Sequence, residues 1–429
     1  MAFIQLESDN PQLSFLLRKN PASGMIVKQL RQGLLFGYYS RNNPTQFNCW
    51  FKDHDSQVSY DADKEFEFND VTRYSAATFV NNCFDEFFHD VLTKDQDDDT
   101  AGFRNEISIN CMRSRPGLFE VFDRSFHEFS LEYEPLATGF HRVRIRTNQR
   151  LRKLLSYASL FALINAIQNR EMRFVPDDLL VKYAKFIQYL DAPYFVRYIF
   201  KANLVRREET FAQVRQYLET DAIKLMPGHN FRQRLRFIER NLAGETIIDV
   251  GCGEGQYFHL AKKTDKYYAV DRDEQCLEQC RHRVKKRQLN NIELFESLDD
   301  LPPIFGRKTL LLTEVIEHNT QGDAFALIRR CLLPETRILI TTPNRDFNVY
   351  YKQDDEDVID EGDDSRHVVG IEESNDLRHE GHLFEFSDTE FREFLTKAVE
   401  GSGATIQFFN LGDCVNGITP QSAAIVDVP

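Results

Sequence analysis

The rhythm of apolar and polar positions changes near the middle of the chain. In the first half, Gly33 to Tyr39, Phe47 to Phe51, Ile107 to Met112 and Phe140 to Arg146 read as strands rather than helices. Ser75 to Val91 carries its phenylalanines at helical spacing, and Phe119 to Phe126 reads as a second helix. From Leu151 to about Leu218 the pattern is helical throughout, with LLSYASLFALINAI as its most apolar stretch. This predicts a helix-rich α+β domain over residues 1–225. Met226-Pro227-Gly228-His229 then breaks the helical pattern. Beyond it Glu245 to Val250, Lys266 to Val270, Ile292 to Phe295, Lys308 to Thr313 and Arg337 to Thr341 are short β-rich runs separated by helix-length segments. Such alternation predicts an α/β domain over residues 226–429 with a mostly parallel, Rossmann-like sheet. Thr405 to Asn410 and Ala423 to Val428 are candidates for an antiparallel edge.

Composition narrows the class. At 429 residues, 42% hydrophobic and 28% charged, the chain suits two or three soluble domains. No run approaches the ~20 apolar residues of a membrane span, and MAFIQLESDNPQ has no secretory pattern. Eight cysteines without CxxC spacing speak against a disulfide framework and for a cytoplasmic protein. The net charge of −14 is mostly local, because residues 353–376 hold eleven acids against one arginine. That segment reads as a solvated acidic insertion, and Asp95 to Asp99 as a second exposed connection.

Candidate chemistry begins at Asp249-Val250-Gly251-Cys252-Gly253-Glu254-Gly255, where the first strand of the second half should turn into a helix. Glycines there let backbone approach a ligand, and Asp271, 22 residues after Asp249, stands where an acid binds a ribose diol. Acids flanking the loop disfavour a pyrophosphate. They suit S-adenosyl-L-methionine, which carries an ammonium and a sulfonium and no phosphate. After the fourth strand come Glu314, Glu317 and His318, at i, i+3 and i+4, so a helical turn would aim all three at one side. Two carboxylates and an imidazole suit Mn²⁺ or Mg²⁺. Arg378-His379-Glu380-Gly381-His382 supplies further histidines for a fourth ligand, and Thr341-Thr342-Pro343-Asn344 would border the same crevice.

DVGCGEGQY, EVIEH, TTPNRDFN and RHEGHLFEF, in that order, resemble the Hua-enhancer family of RNA 3′-terminal ribose 2′-O-methyltransferases. The resemblance implies S-adenosylmethionine held around Asp249, Gly251, Gly253 and Asp271, with Ser297 and Leu298 near the adenine. It also implies a divalent cation on Glu314, Glu317, His318 and His382. Leu16-Leu17-Arg18-Lys19-Asn20-Pro21 and LLSYASLFALI resemble the bacterial branch, whose N-terminal half is tied to activating the RNA ligase of a polynucleotide kinase–phosphatase partner. The chain departs from the family at Gly381, usually aspartate, and at Phe386, usually tryptophan.

The implied activity is methylation of the 2′-hydroxyl of an RNA 3′ end whose 2′- and 3′-hydroxyls are both unblocked, with His318 or His379 taking the proton. Arg232, Arg234, Arg236 and Arg240, and Arg281, Arg283, Lys285, Lys286 and Arg287, are the candidate RNA-backbone contacts. Two other readings use the same residues: a small-molecule diol O-methyltransferase, and a ligase-activating RNA-repair subunit with secondary catalysis.

Overall fold

A computed structural model describes residues 3–30, 33–41, 43–53, 77–169, 175–205, 207–350, 377–379 and 381–429. The acidic insertion 353–376 and the first two residues of the helix expected from Ser75 lie outside these. The chain divides into two compact units, the first built on Met1–Leu218 and the second on Glu219–Lys352 and Ile359–Pro429.

The first unit is a seven-stranded antiparallel sheet with helices. Its strands are β1 (Phe3–Ser8), β2 (Ile26–Leu30), β3 (Gly33–Ser40), β4 (Asn43–Asp53), β5 (Asn105–Arg113), β6 (Ser130–Ala137) and β7 (Phe140–Thr147), in the order β2-β3-β4-β1-β5-β7-β6. Strand alternation puts Ile4, Leu6, Leu35, Phe47, Cys49, Phe51, Ile107 and Ile109 into the core. The helix Leu151–Gln168 buries fourteen consecutive or near-consecutive residues, Leu151 through Ala166, which explains why its sequence is apolar on every side. Asp99 is a difference from the sequence expectation. It is 4% exposed and accepts the backbone N–H groups of Leu151 and Arg152 at 2.7 and 2.9 Å. Two of the donors that a helix start leaves unsatisfied are thereby paired.

The second unit opens with β8 (Ile223–Lys224), which pairs with β15 (Cys414–Val415) and ties residues before the Met226–His229 turn to this unit. Its main sheet holds β9 (Thr246–Val250), β10 (Lys266–Val270), β11 (Ile292–Phe295), β12 (Lys308–Thr313), β13 (Thr336–Pro343), β14 (Thr405–Leu411) and β16 (Gln421–Val428), in the order β11-β10-β9-β12-β13-β16-β14. The first five are mutually parallel, and β16 runs antiparallel to both β13 and β14. Every residue of β12 is buried, as a central strand covered on both faces requires. The strand order reverses between β9 and β12, and a crevice at the carboxyl ends of such strands is where open α/β sheets bind ligands. Among the described residues no helix is long and apolar enough to cross a membrane.

Candidate active site

The glycine loop leaves β9 with left-handed backbone at Gly251 (φ 71°), Gly253 (φ 50°) and Gly255 (φ 78°), a region costly for residues with a Cβ. Gly251 and Cys252 donate their N–H groups to Val270 O, pinning the loop to the end of β10. A Cβ at Gly251 would lie 2.6 Å from Val315 Cγ2, whereas one at Gly253 would meet nothing, so bare backbone faces open space there. Gly253 N–H donates to Asp271 Oδ2 at 2.7 Å. Asp249 is 1% exposed. Its Oδ2 accepts the Tyr267 hydroxyl at 2.7 Å, while its Oδ1 has no hydrogen-bond partner among the described residues. Burial, reinforced by the neighbouring Asp271 charge and opposed by the Tyr267 bond, pushes its pKa up to about 7. Ser297 and Leu298 follow β11 on the same edge, where Ser297 Oγ accepts Asp299 N–H and Leu298 packs on the core.

The acid–histidine segment differs from a regular helical turn. β12 ends at Thr313, Glu314 adopts φ 56°, and only Ile316–His318 form a short 3₁₀ turn. The helical i, i+3, i+4 argument therefore does not place Glu314. Its side chain accepts from Thr341 Oγ1 at 3.0 Å and Gln421 Nε2 at 3.4 Å, and pairs with Arg234 Nη1 at 2.9 Å. Left-handed backbone at a non-glycine costs about 1–2 kcal/mol and is the sort of strain that gathers at functional sites.

Glu317, His318 and His382 do converge: one ligand atom from each lies within 4.8 Å of the others. Glu317 is completely buried. Its Oε2 accepts the Thr342 hydroxyl at 3.2 Å, and its Oε1 has no hydrogen-bond partner among the described residues. Burial and the adjacent Glu314 hold its proton affinity well above the ordinary carboxylate range. An orphaned carboxylate oxygen at full burial is costly unless a cation or donor meets it. The two imidazoles are set to share that cation. His318 Nδ1 lies 3.0 Å from Gly381 O; a carbonyl only accepts, so Nδ1 carries the proton and Nε2 the lone pair. His382 Nδ1 donates to Glu385 Oε1 at 2.6 Å, with the same consequence. Leu383 N–H donates to Glu317 O at 2.8 Å, locking the histidine loop onto the acid's own turn. The donor set fits a divalent cation.

Glu385 was absent from the sequence expectation and supplies the acceptor that Gly381 cannot. It is 2% exposed. Burial raises its proton affinity, but the bonds from His382, Asn348 and Arg378 N–H and the Arg378 charge outweigh that and keep it below its ordinary value. Asn348 Nδ2 donates to Glu385 Oε2 at 2.6 Å, and Arg378 Nε donates to Asn348 Oδ1 at 2.7 Å. Thus TTPNRDFN, through Thr341, Thr342 and Asn348, braces both acids and one histidine. His379 stands apart from the convergent group. Its Nδ1 accepts Gly381 N–H at 2.9 Å, so a neutral ring carries its proton on Nε2. A Cβ at Gly381 would come within 3.0 Å of His379 Nδ1 and 3.4 Å of His318 Nδ1.

The arginine clusters separate. Arg234 is spent on Glu314 and lies over the Phe231 ring at 5.5 Å. Arg281 pairs with Glu274, while Arg283 reaches Gly255 O and Glu254.

Residues 3–222 match the model of the Hen1 N-terminal domain, more than half of the chain. The chain belongs to the Hen1 family. Residues 241–376 match a methyltransferase domain. Among solved structures, a chain of the Pnkp1/Rnl/Hen1 RNA repair complex superposes with a TM-score of 0.80 at 24% identity, covering 99% of this chain and 100% of that one. A second Pnkp1/Rnl/Hen1 complex gives 0.78 at 23% identity with full coverage of both chains. No curated protein sequence matches the chain. At these identities the solved structures establish the fold alone.

Proposed function

We propose that this Hen1-family chain transfers a methyl group from S-adenosyl-L-methionine to the 2′-hydroxyl of the 3′-terminal ribose of RNA, in RNA repair beside a polynucleotide kinase–phosphatase and RNA ligase partner. The observation that carries the reading is the orphaned Glu317 Oε1, fully buried and grouped with two imidazoles whose Nδ1 atoms are both engaged. On this reading Asp271 takes the donor's ribose hydroxyls beside the bare Gly253 backbone. Asp249 Oδ1 meets the donor's ammonium, and Ser297 and Leu298 border the adenine.

Glu317, His318 and His382 would hold Mn²⁺ or Mg²⁺, with Glu314 as the fourth residue. When bound, such a cation supplies Lewis acidity that makes a neighbouring hydroxyl easier to deprotonate. The chain's own residues do the rest. Glu385 keeps His382 in the tautomer that presents Nε2, and Gly381 O does so for His318. His379 presents an Nε2–H, which can donate to a ribose oxygen and orient it. His379 could accept a proton only at Nδ1, after releasing the Gly381 N–H, and His318 could accept one only at Nε2, when that lone pair is not given to a cation. On this reading the N-terminal unit activates the ligase partner. To test the reading, metal-stripped protein is supplied with labelled donor and RNA ending in a 2′,3′-diol or a 3′-phosphate. Transfer to the diol alone, restored by Mn²⁺, supports it; equal labelling of both ends refutes it.

A further inference from the structure

Glu314 is not one of the three residues whose ligand atoms converge, and its carboxylate is engaged by three donors from three different segments: Thr341 on β13, Gln421 on β16 and Arg234 on the helix Asn230–Asn241. Only Arg234 brings a charge. It is 11% exposed at the side chain, and Glu314 is 24% exposed, so the pair is poorly screened by water. Arg234 also packs over Phe231, whose ring stacks at 5.9 Å on Tyr257, two residues past Gly255. Arg234 thus touches Glu314 directly and, through the Phe231 ring, is linked to Tyr257 just past the glycine loop. Resting on the donor and cation reading above, we propose that Arg234 is a positioning residue that withholds Glu314 from the cation group until an anion at the glycine loop, the carboxylate of the donor's amino-acid end, competes for the guanidinium.

The two ligands then bind cooperatively by linkage. Donor carboxylate frees Glu314, Glu314 strengthens the cation site, and the cation in turn strengthens the donor. In the absence of donor, Arg234 opposes the cation twice, by its own charge and by occupying a carboxylate. The strain of Glu314 at φ 56° suits a residue that must serve two partners from one backbone position.

The test is Mn²⁺ binding, read by calorimetry or electron paramagnetic resonance on the full chain, with no methyl transfer involved. S-adenosylhomocysteine, which keeps the carboxylate, should tighten Mn²⁺ binding to wild type about tenfold, and 5′-methylthioadenosine, which lacks it, should not. Arg234→Gln should bind Mn²⁺ about tenfold more tightly than wild type without any donor analogue, and S-adenosylhomocysteine should add nothing further. Adding Glu314→Gln to that variant should abolish the gain, and Arg234→Lys, which keeps the charge, should behave as wild type. If wild type binds Mn²⁺ but Arg234→Gln binds it no more tightly, the exchange is overturned and the cation site stands. If Arg234→Gln fails to fold, absence of S-adenosylhomocysteine coupling in wild type overturns it equally. If no folded protein binds Mn²⁺, the site reading and this inference fall together.

Discussion

Asp249→Asn isolates the electrostatic cost of the donor pocket. The carboxyl sits fully buried with one oxygen bonded to Tyr267 and the other orphaned, and its pKa lies at about 7 against an ordinary 3.8. A tenfold change in proton affinity corresponds to 1.36 kcal/mol, so ionised Asp249 costs the donor-free fold about 4 kcal/mol. The sign follows from proton uptake. Between pH ~4 and ~7 the folded state holds a proton that the unfolded chain has lost, so stability falls as pH rises through that window and stays low above it. Asparagine is nearly isosteric, can still accept from the Tyr267 hydroxyl, and cannot ionise. The two proteins should therefore unfold at similar temperatures at pH 4.5, while at pH 8 the variant's second unit should be more stable by about 2–4 kcal/mol. Differential scanning calorimetry at the two pH values measures the gap. Donor should narrow it at pH 8, because the ammonium pairs with the wild-type carboxylate and so stabilises wild type more than the neutral variant. A gap that does not grow between pH 4.5 and pH 8, or that favours wild type at pH 8, refutes the reasoning.

Other consequences are as direct. Glu385→Gln removes the charge that fixes the His382 imidazole and turns an NH2 toward one of the buried donors around it, so Mn²⁺ affinity by calorimetry should fall about 10–100-fold and the second unit should lose about 1–3 kcal/mol of stability. Gly251→Ala forces a Cβ to 2.6 Å from Val315 at φ 71°, which should cost about 1–3 kcal/mol of stability and weaken donor binding in equilibrium dialysis. Asp99→Ala strips the partner from two N–H groups at the start of the Leu151 helix, and should lower the stability of the first unit alone by about 1–2 kcal/mol, leaving methyl transfer unaltered.

How much of this was legible beforehand follows from where the information lies. The parallel strands β9 to β13 are short apolar runs between polar helices, and burial on both faces writes them plainly into the chain. β6 carries no strand pattern in the sequence because it is an edge: only Leu131 is buried along Ser130–Ala137, and Pro135 interrupts it. β1 was likewise missed, although Ile4 and Leu6 alternate inward as a strand requires. Asp99 looked like one of several solvated acids, since nothing local shows that a helix start 52 residues later needs it. At the site, Glu317, His318 and His382 were recognisable as ligand-type residues. Their bracing was not, because Thr341, Thr342, Asn348 and Glu385 matter only through contacts across strands and loops. Glu385 left a trace, an acid three residues after His382 that fits the need of a ligating imidazole for an acceptor. The left-handed Glu314 had no such trace, and a helical turn was the natural but wrong geometry for it.

If a buried acid and two oriented imidazoles direct methylation to the last ribose of an RNA, the methyl group must be found on that ribose and nowhere else. Mapping the labelled methyl group by nuclease digestion and mass spectrometry, on one RNA ending in a ribose and one ending in a 2′-deoxyribose, tests it most directly. Label is expected on the 2′-oxygen of the terminal ribose only, with none on the deoxy end, and it should be lost in Glu317→Ala. Label on a base or an internal ribose, or undiminished labelling in Glu317→Ala, would contradict it.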